Sequence, residues 1–301
     1  MTTGQITRLH IVIVNYKSSD YLAGCLAGIP KSTPGIRISA AVVDNNSSEE
    51  EELAKLRENY PWIDFLFNRE NLGFSKACNQ GIKCREADLY LLLNPDTVVN
   101  PEALESCAQF LLENQEAGIA GCRILNADGS VQRASRRNIP TPASAFLHFT
   151  GLHRLLGKNS RVKTYNPPIP EGDSPLESEA VSGSFLMFKK DVNRKNGYLD
   201  EDYFMYGEDL DFCLKARHDG WKIYYLPQAS IIHHKRISSS RSPDSANLQF
   251  YRAMEIFYRK HYYRDAGWLS RFPVFLGIKL LEAAAMLRIR LIPGKGVGSR
   301  D

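Results

Sequence analysis

The stretch FMYGEDLDFCLKARHDGW, residues 204–221, places Glu208, Asp209 and Asp211 within four positions directly after Gly207. Acids grouped in this way have two uses. They complement the positive end of a helix that starts at Glu208, with Lys215, Arg217 and His218 in its last turn and Gly220 as its stop. Alternatively, one of them takes the proton of an attacking hydroxyl as a general base, and the others support it. Asp44, in AVVDNNSS, is a pure acceptor and so suits the N3–H of uracil or thymine, which cytosine lacks; its other reading is a helix N-cap leading into Ser47, Ser48 and Glu49. Asp96, in LLLNPDT, is a hard oxygen ligand of the kind that holds Mg²⁺ or Mn²⁺ together with substrate phosphates, or else the end of an Asn-Pro-Asp turn. His233 and His234, in PQASIIHHKR, end a β-branched run, where one of them can ligate a cation or contact phosphate, or both can be ordinary strand-end histidines.

The elements that would carry these residues alternate. Short β-branched or leucine-rich runs at 9–14, 39–43, 63–67 and 89–93 predict strands, and the segments near 21–29, 49–58 and 74–83 predict helices between them. That order implies an α/β fold with a parallel sheet, whose ligands bind at the carboxyl ends of the strands. Those ends are polar: Asn15-Tyr16, Asp44-Asn45-Asn46, residues 68–71, and Asn94-Pro95-Asp96. From 133 to 182 the periodicity weakens, and RNIPTP with YNPPIPEGDSP supplies six prolines, which predicts irregular loops over one face. VSGSFLMFKK, 181–190, restores a strand after a turn of small residues.

Several classes are excluded. The first strand runs into NYKSSDYL with no G-x-G-x-x-G, and no P-loop is present, which argues against dinucleotide cofactors and against ATP-type phosphate cradling. A net charge of +4 without a dense basic stripe argues against nucleic acid. The six cysteines form no C-x-x-C pair and read as buried thiols of a reducing compartment. With no signal-peptide pattern at the N-terminus, the expected location is cytoplasmic, or peripheral on the cytoplasmic face of a membrane.

Taken in order, VIVNYKS, VVDNNSS, NLGFSKACNQGI, LLLNPDT, VSGSFLMF, FMYGEDLDFCLKARHDGW and IIHHK resemble the family 2 inverting glycosyltransferases, and among them bacterial rhamnosyltransferases of cell-surface polysaccharide synthesis. The resemblance implies a GT-A nucleotide-diphospho-sugar transferase fold, a mixed and mostly parallel sheet flanked by helices. Its catalytic domain would span 1–250, with a nucleotide-binding half at 1–130 and an acceptor-side half at 131–250, followed by a C-terminal helical appendage at 251–301. It implies Val14, Asn15 and Tyr16 against the nucleoside, Asp44 on the base, and Asn71, Gly73, Lys76 and Asn79 along the nucleotide. Asp96 would bind a divalent cation, with His233 as second ligand, although His234 is adjacent and competes for that place. Asp209 would be the base, with Ser182, Gly183, Ser184, Glu208 and Asp211 on the acceptor side. Asn94 stands where many such enzymes carry the first acid of Asp-x-Asp, which implies an exchangeable metal that arrives with the donor.

The implied donor is dTDP-rhamnose and the acceptor a lipid-linked or polysaccharide hydroxyl. UDP-hexose or UDP-N-acetylhexosamine transfer and a catalytically silent sugar-nucleotide-binding scaffold are the competing readings. The tail RFPVFLGIKLLEAAAMLRIRLIPGK is interrupted by Lys279 and Glu282, too short of apolar residues to span a bilayer. It predicts an interfacial helix on anionic lipid or a helix packed on protein.

Overall fold

LHIVIV lies inside β1 (Thr7–Asn15), and every residue from 9 to 15 of that strand is buried. A strand buried on both faces reads as an unbroken apolar run, the mark of a parallel sheet covered by helices. The computed structural model describes residues 6–142, 144, 165–169, 172–234, 243–264 and 268–291. Its strands are β1, β2 (Ser32–Thr33), β3 (Ile36–Asp44), β4 (Ile63–Phe67), β5 (Leu89–Leu93), β6 (Thr97–Val99), β7 (Ala117–Leu125), β8 (Arg136–Arg137), β9 (Leu176–Ser178), β10 (Ala180–Val181), β11 (Phe185–Lys189) and β12 (Lys222–His233).

One ten-stranded sheet runs in the order β2-β3-β1-β5-β11-β7-β12-β6, with β4 beside β3 and β9 beside β12. Pairing is parallel through β4, β3, β1 and β5, so Asn15 and Asp44 stand side by side at the carboxyl edge. Antiparallel β11 then joins β5 to β7, and β12 returns parallel to β7. Because side chains alternate across a strand, β1 and β5 feed two cores. Leu9, Ile11, Leu89 and Leu91 meet the helices Ser19–Ala27, Glu50–Asn59 and Pro101–Glu113 on one face. On the other face, Val12, Val14 and Leu92 meet Phe74–Lys83, Glu208–His218 and Pro243–His261.

The strands expected at 63–67 and 89–93 and the helix at 74–83 stand at those bounds. The boundary expected at 250/251 instead falls inside the helix Pro243–His261, whose Ala253 and Phe257 belong to the second core. The last helix, Trp268–Leu291, buries Ile278 and Ala285 and is tied to its neighbour by the ion pairs Arg252–Glu282 at 3.5 Å and Lys279–Glu255 at 2.5 Å. Much of the loop region expected at 133–182 lies outside the described residues; within them are only short pieces, among them the two-stranded pairing of β8 with β10. Five of the cysteines are buried, but Cys84, at the end of Phe74–Lys83, is exposed, so it does not match the buried thiol expected there.

Candidate active site

The carboxyl ends of β1 and β3 bring Asn15 against Asp44. The Asn15 amide donates to Asp44 Oδ1 at 2.9 Å and to Ser47 Oγ at 3.0 Å, and Ser47 N donates to Asp44 Oδ2 at 3.1 Å. The Ser47 hydroxyl also bonds Asp44 Oδ1. Asp44 therefore closes a turn and does not cap a helix, since the following helix begins only at Glu50. With Oδ1 filled twice and Oδ2 once, one acceptor position on Oδ2 remains. Val14 is buried behind this edge and Tyr16 is exposed in front of it, with Lys17 Nζ 5.3 Å from its ring centre. Among the described residues, the non-glycine positive-φ positions are Lys17, Asn46 and Ser48 at this edge and Tyr206 across from it. Backbone held in that sparsely populated region concentrates where function constrains it.

The loop after β4 is drawn in by a residue that the motifs do not single out. Asn45 donates to Gly73 O at 3.0 Å and accepts from the Asn68 amide at 2.9 Å. Asn71 Oδ1 accepts from Gly73 N, and Gly73 has φ +86°, where a Cβ would lie 2.7 Å from Phe204 O. Gly73 thus lets the loop touch the segment that leads into Glu208. Lys76 is exposed on the same helix. Asn79, expected along the nucleotide, spends its amide on Leu199 O, Leu199 N and Glu201 at 2.9, 3.0 and 2.9 Å, so it clamps a loop.

Asp96 and His233 meet although they are 137 positions apart. β12 pairs with β6 so that His233 is opposite Thr97, and His233 Nε2 lies 3.1 Å from Asp96 Oδ1. Gln132 Nε2 donates to His233 O at 2.9 Å, which turns its Oε1 toward Nδ1 at 3.2 Å, so that Nδ1 donates to it. Nε2 faces Asp96 Oδ1 and has the Asn94 amide 3.3 Å away. The His234 ring lies 5.9 Å from the Tyr21 ring while its backbone N donates to Asp96 O at 2.9 Å, so only the His233 ring meets the Asp96 carboxylate. Gln132 is the residue missed here, and its polar surroundings offered no periodicity to find it by.

The three acids that follow Gly207 occupy three different environments. Tyr206 and Gly207, both with positive φ, launch the helix Glu208–His218. Asp209 Oδ2 accepts from Gly183 N at 2.8 Å and forms a buried ion pair with Arg137, while Oδ1 accepts from Leu210 N at 2.8 Å. A Cβ on Gly183 would stand 3.2 Å from Asp209 Oδ2, so the turn of small residues is what allows the approach. Ser182 and Ser184 share a hydroxyl contact at 3.1 Å, and Ser184 O accepts from Asn94 N at 3.1 Å, joining this turn to the Asp96 turn. Glu208 is buried with Oε2 unpartnered, and burial together with the Asp209 charge pushes its carboxyl up to about 8. Asp211, expected on the acceptor side, faces the opposite way, paired with Lys215 at 2.7 Å and with His261 of the C-terminal helix at 2.7 Å.

The arrangement is a continuous edge with an acceptor for a base at one end, a carboxylate and an imidazole near its middle, and a buried aspartate across from them. A model of the family described as glycosyl transferase family 2 matches residues 10–193. The chain is 29% identical over 277 residues to an N-acetylglucosaminyl-diphospho-decaprenol L-rhamnosyltransferase of Mycobacterium tuberculosis (strain ATCC 25618 / H37Rv), covering 86% of each. It is 25% identical over 237 residues to the rhamnosyltransferase WbbL of Escherichia coli (strain K12), covering 75% of this chain and 83% of that one. Among solved structures, a mannosyltransferase from Pyrobaculum calidifontis in complex with GDP-Man and Mn²⁺ has a TM-score of 0.58 at 12% identity, over 98% of this chain and 76% of that one. The S. aureus protein TarS 1–349 in complex with UDP-GlcNAc has a TM-score of 0.56 at 16% identity, over 96% and 76%. With more than half of its length inside the family match, and with rhamnosyltransferases among the relatives along most of its length, this chain belongs to glycosyl transferase family 2 and is a glycosyltransferase with the GT-A fold.

Proposed function

We propose that the chain moves L-rhamnose from dTDP-rhamnose to a hydroxyl of a lipid-linked or polysaccharide acceptor, with inversion and in a single displacement. The observation that carries this reading is the link from the Asp96–His233 pair through Asn94 and the turn at 182–184 to Asp209, which supports a cation-binding pair with a base across from it. The names of the relatives support rhamnose as the sugar and a lipid diphosphate as the acceptor's carrier. In this reading the free position on Asp44 Oδ2 takes the N3–H of thymine or uracil, with Val14, Asn15 and Tyr16 around the nucleoside and Asn71, Gly73 and Lys76 along the diphosphate.

The donor set fits a divalent cation. Ligands side by side around an octahedral ion with bonds near 2.1 Å stand about 3 Å apart, as Asp96 Oδ1 and His233 Nε2 do at 3.1 Å. The Gln132 contact at Nδ1 orients the ring as a partner behind a metal-binding histidine does. Such an ion, Mg²⁺ or Mn²⁺, would neutralise the departing diphosphate. Asp209 accepts the proton of the acceptor hydroxyl as its oxygen bonds the anomeric carbon, and the bond from that carbon to the diphosphate oxygen breaks. The test is a panel of dTDP- and UDP-sugars with and without Mg²⁺, scored by thermal shift and slow donor hydrolysis. dTDP-rhamnose should give the largest metal-dependent shift; a tenfold preference for UDP-glucose or UDP-N-acetylglucosamine would replace the donor in this reading.

We also propose that the last helix meets an anionic membrane surface. Among the described residues no helix is long and apolar enough to cross a membrane. Trp268–Leu291 packs one face on the domain and leaves Phe272, Leu276, Leu280 and Leu287 exposed, a stripe at helical spacing in a segment whose sequence also carries Arg288 and Arg290. Leu280→Glu with Leu287→Glu should abolish flotation with phosphatidylglycerol vesicles at an unchanged melting temperature. Undiminished flotation would remove the proposal.

A further inference from the structure

Arg137 comes from a polar segment with no motif, yet it is buried against Asp209. β8 pairs with β10, Arg137 opposite Ala180, and the guanidinium Nη2 donates both to Val181 O at 2.8 Å and to Asp209 Oδ2. Its Nε is buried without an acceptor, so this pose is maintained by the ion pair and the backbone contact, against the cost of an unpaired donor. Burial alone would lower the affinity of the guanidinium for its proton, but the Asp209 charge outweighs that, so Arg137 stays charged. The other groups around Asp209 are Glu208 beside it, Cys213 one turn along, Tyr165 against Arg137, and Asp211, which is occupied by Lys215 and His261.

We propose that Arg137 is a positioning residue for the base: with Gly183 N–H it fills Asp209 Oδ2, so that Oδ1 is the oxygen that takes the acceptor's proton. This rests on the reading of Asp209 as the base. Two consequences follow from the geometry. The carboxylate cannot rotate without losing the Arg137 and Gly183 bonds together, which fixes the direction of proton transfer. A guanidinium on one of two adjacent acids also distinguishes them, since it bonds Asp209 and leaves Glu208 Oε2 without a partner.

The test compares Arg137→Gln, Arg137→Lys, Asp209→Asn and the double variant Arg137→Gln/Asp209→Asn. For Arg137→Gln we expect the acid limb of the kcat/KM profile to move up by about one pH unit or more. Its kcat at neutral pH should fall by at least ~10-fold, with donor Kd unchanged. Arg137→Lys should keep the limb near its wild-type place but with reduced kcat, because an ammonium supplies charge without the fixed direction of a planar guanidinium. Melting temperature should fall in Arg137→Gln and recover in the double variant, where residue 209 no longer holds a buried charge without its partner. A lowered kcat with an unmoved limb would overturn the proposal, leaving Arg137 as scaffold. If Arg137→Gln does not fold, Arg137→Lys decides, and wild-type kcat in that variant overturns it. Wild-type turnover in Asp209→Asn would instead refute the base assignment itself, a result distinguishable from either.

Discussion

The two edges of the cleft are built on different principles. On the donor edge Asp44, Asn15, Ser47 and Asn45 lie at neighbouring strand ends and satisfy one another with neutral amides and hydroxyls. On the acceptor edge Asp209 is held by a partner distant in the chain, Arg137; behind it His261 and Lys215 hold Asp211, and Asn79 holds the loop at 199–201. A carboxylate satisfied by neutral donors at a strand end is positioned by the sheet itself. Buried charges need counter-charges, and removing one partner is far more damaging than the net worth of the pair. The acceptor edge should therefore respond strongly to pH and to single substitutions, and the donor edge to ligands and metal.

Four experiments strain that contrast, beginning with the largest effect. Asp209→Asn should lower kcat by at least ~10²-fold while calorimetry finds donor affinity near wild type; equal losses in both would mean that the edges are not separable. Glu208→Gln tests the charge argument. The folded-state carboxyl is raised to about 8, so the native protein holds a proton there that the unfolded chain has already released. Stability should therefore decline as pH rises from the ordinary carboxylate range through about 8, by an amount on the order of a few kcal/mol, and chemical denaturation of the variant should show a flatter profile. An unchanged slope would place that proton elsewhere.

Asp96→Ala should weaken nucleotide binding by ~10–100-fold in Mg²⁺ and leave the weaker binding in chelator untouched; identical affinities in the two media would return the Asn94-Pro95-Asp96 segment to a turn. The smallest effect is expected from Asn79→Ala, which leaves the Leu199 backbone groups unpaired. It should cost roughly 1–2 kcal/mol in a denaturant titration with little change in donor affinity. A selective loss of donor binding would restore Asn79 to the nucleotide.

What could be read from the sequence followed the same division. Asn15, Asp44 and Asp96 were legible because a strand end is a local event: an apolar run stops, polar residues follow, and the parallel order brings those ends to one edge. Asp209 and Gly183 were legible as a glycine-led acidic helix start and a turn of small residues. For Asn79 the motif order says nothing about the loop at 199–201 that takes its amide. Asp211 shares a turn with Asp209, and only the arrival of the helix Pro243–His261 turned it away from the cleft.

The sequence by itself determined the α/β class, the strand ends that form the donor edge and the chemical types assembled there, because periodicity and turn chemistry act over a few residues. Tertiary structure decided which of two histidine rings meets the Asp96 carboxylate, which of three acids meets Gly183, and that Arg137 and Gln132 lie against Asp209 and His233. The partners of those choices lie 50, 72, 101 and 137 positions away, in His261, Arg137, Gln132 and Asp96, and electrostatic pairing depends on distance in space, which no local pattern encodes.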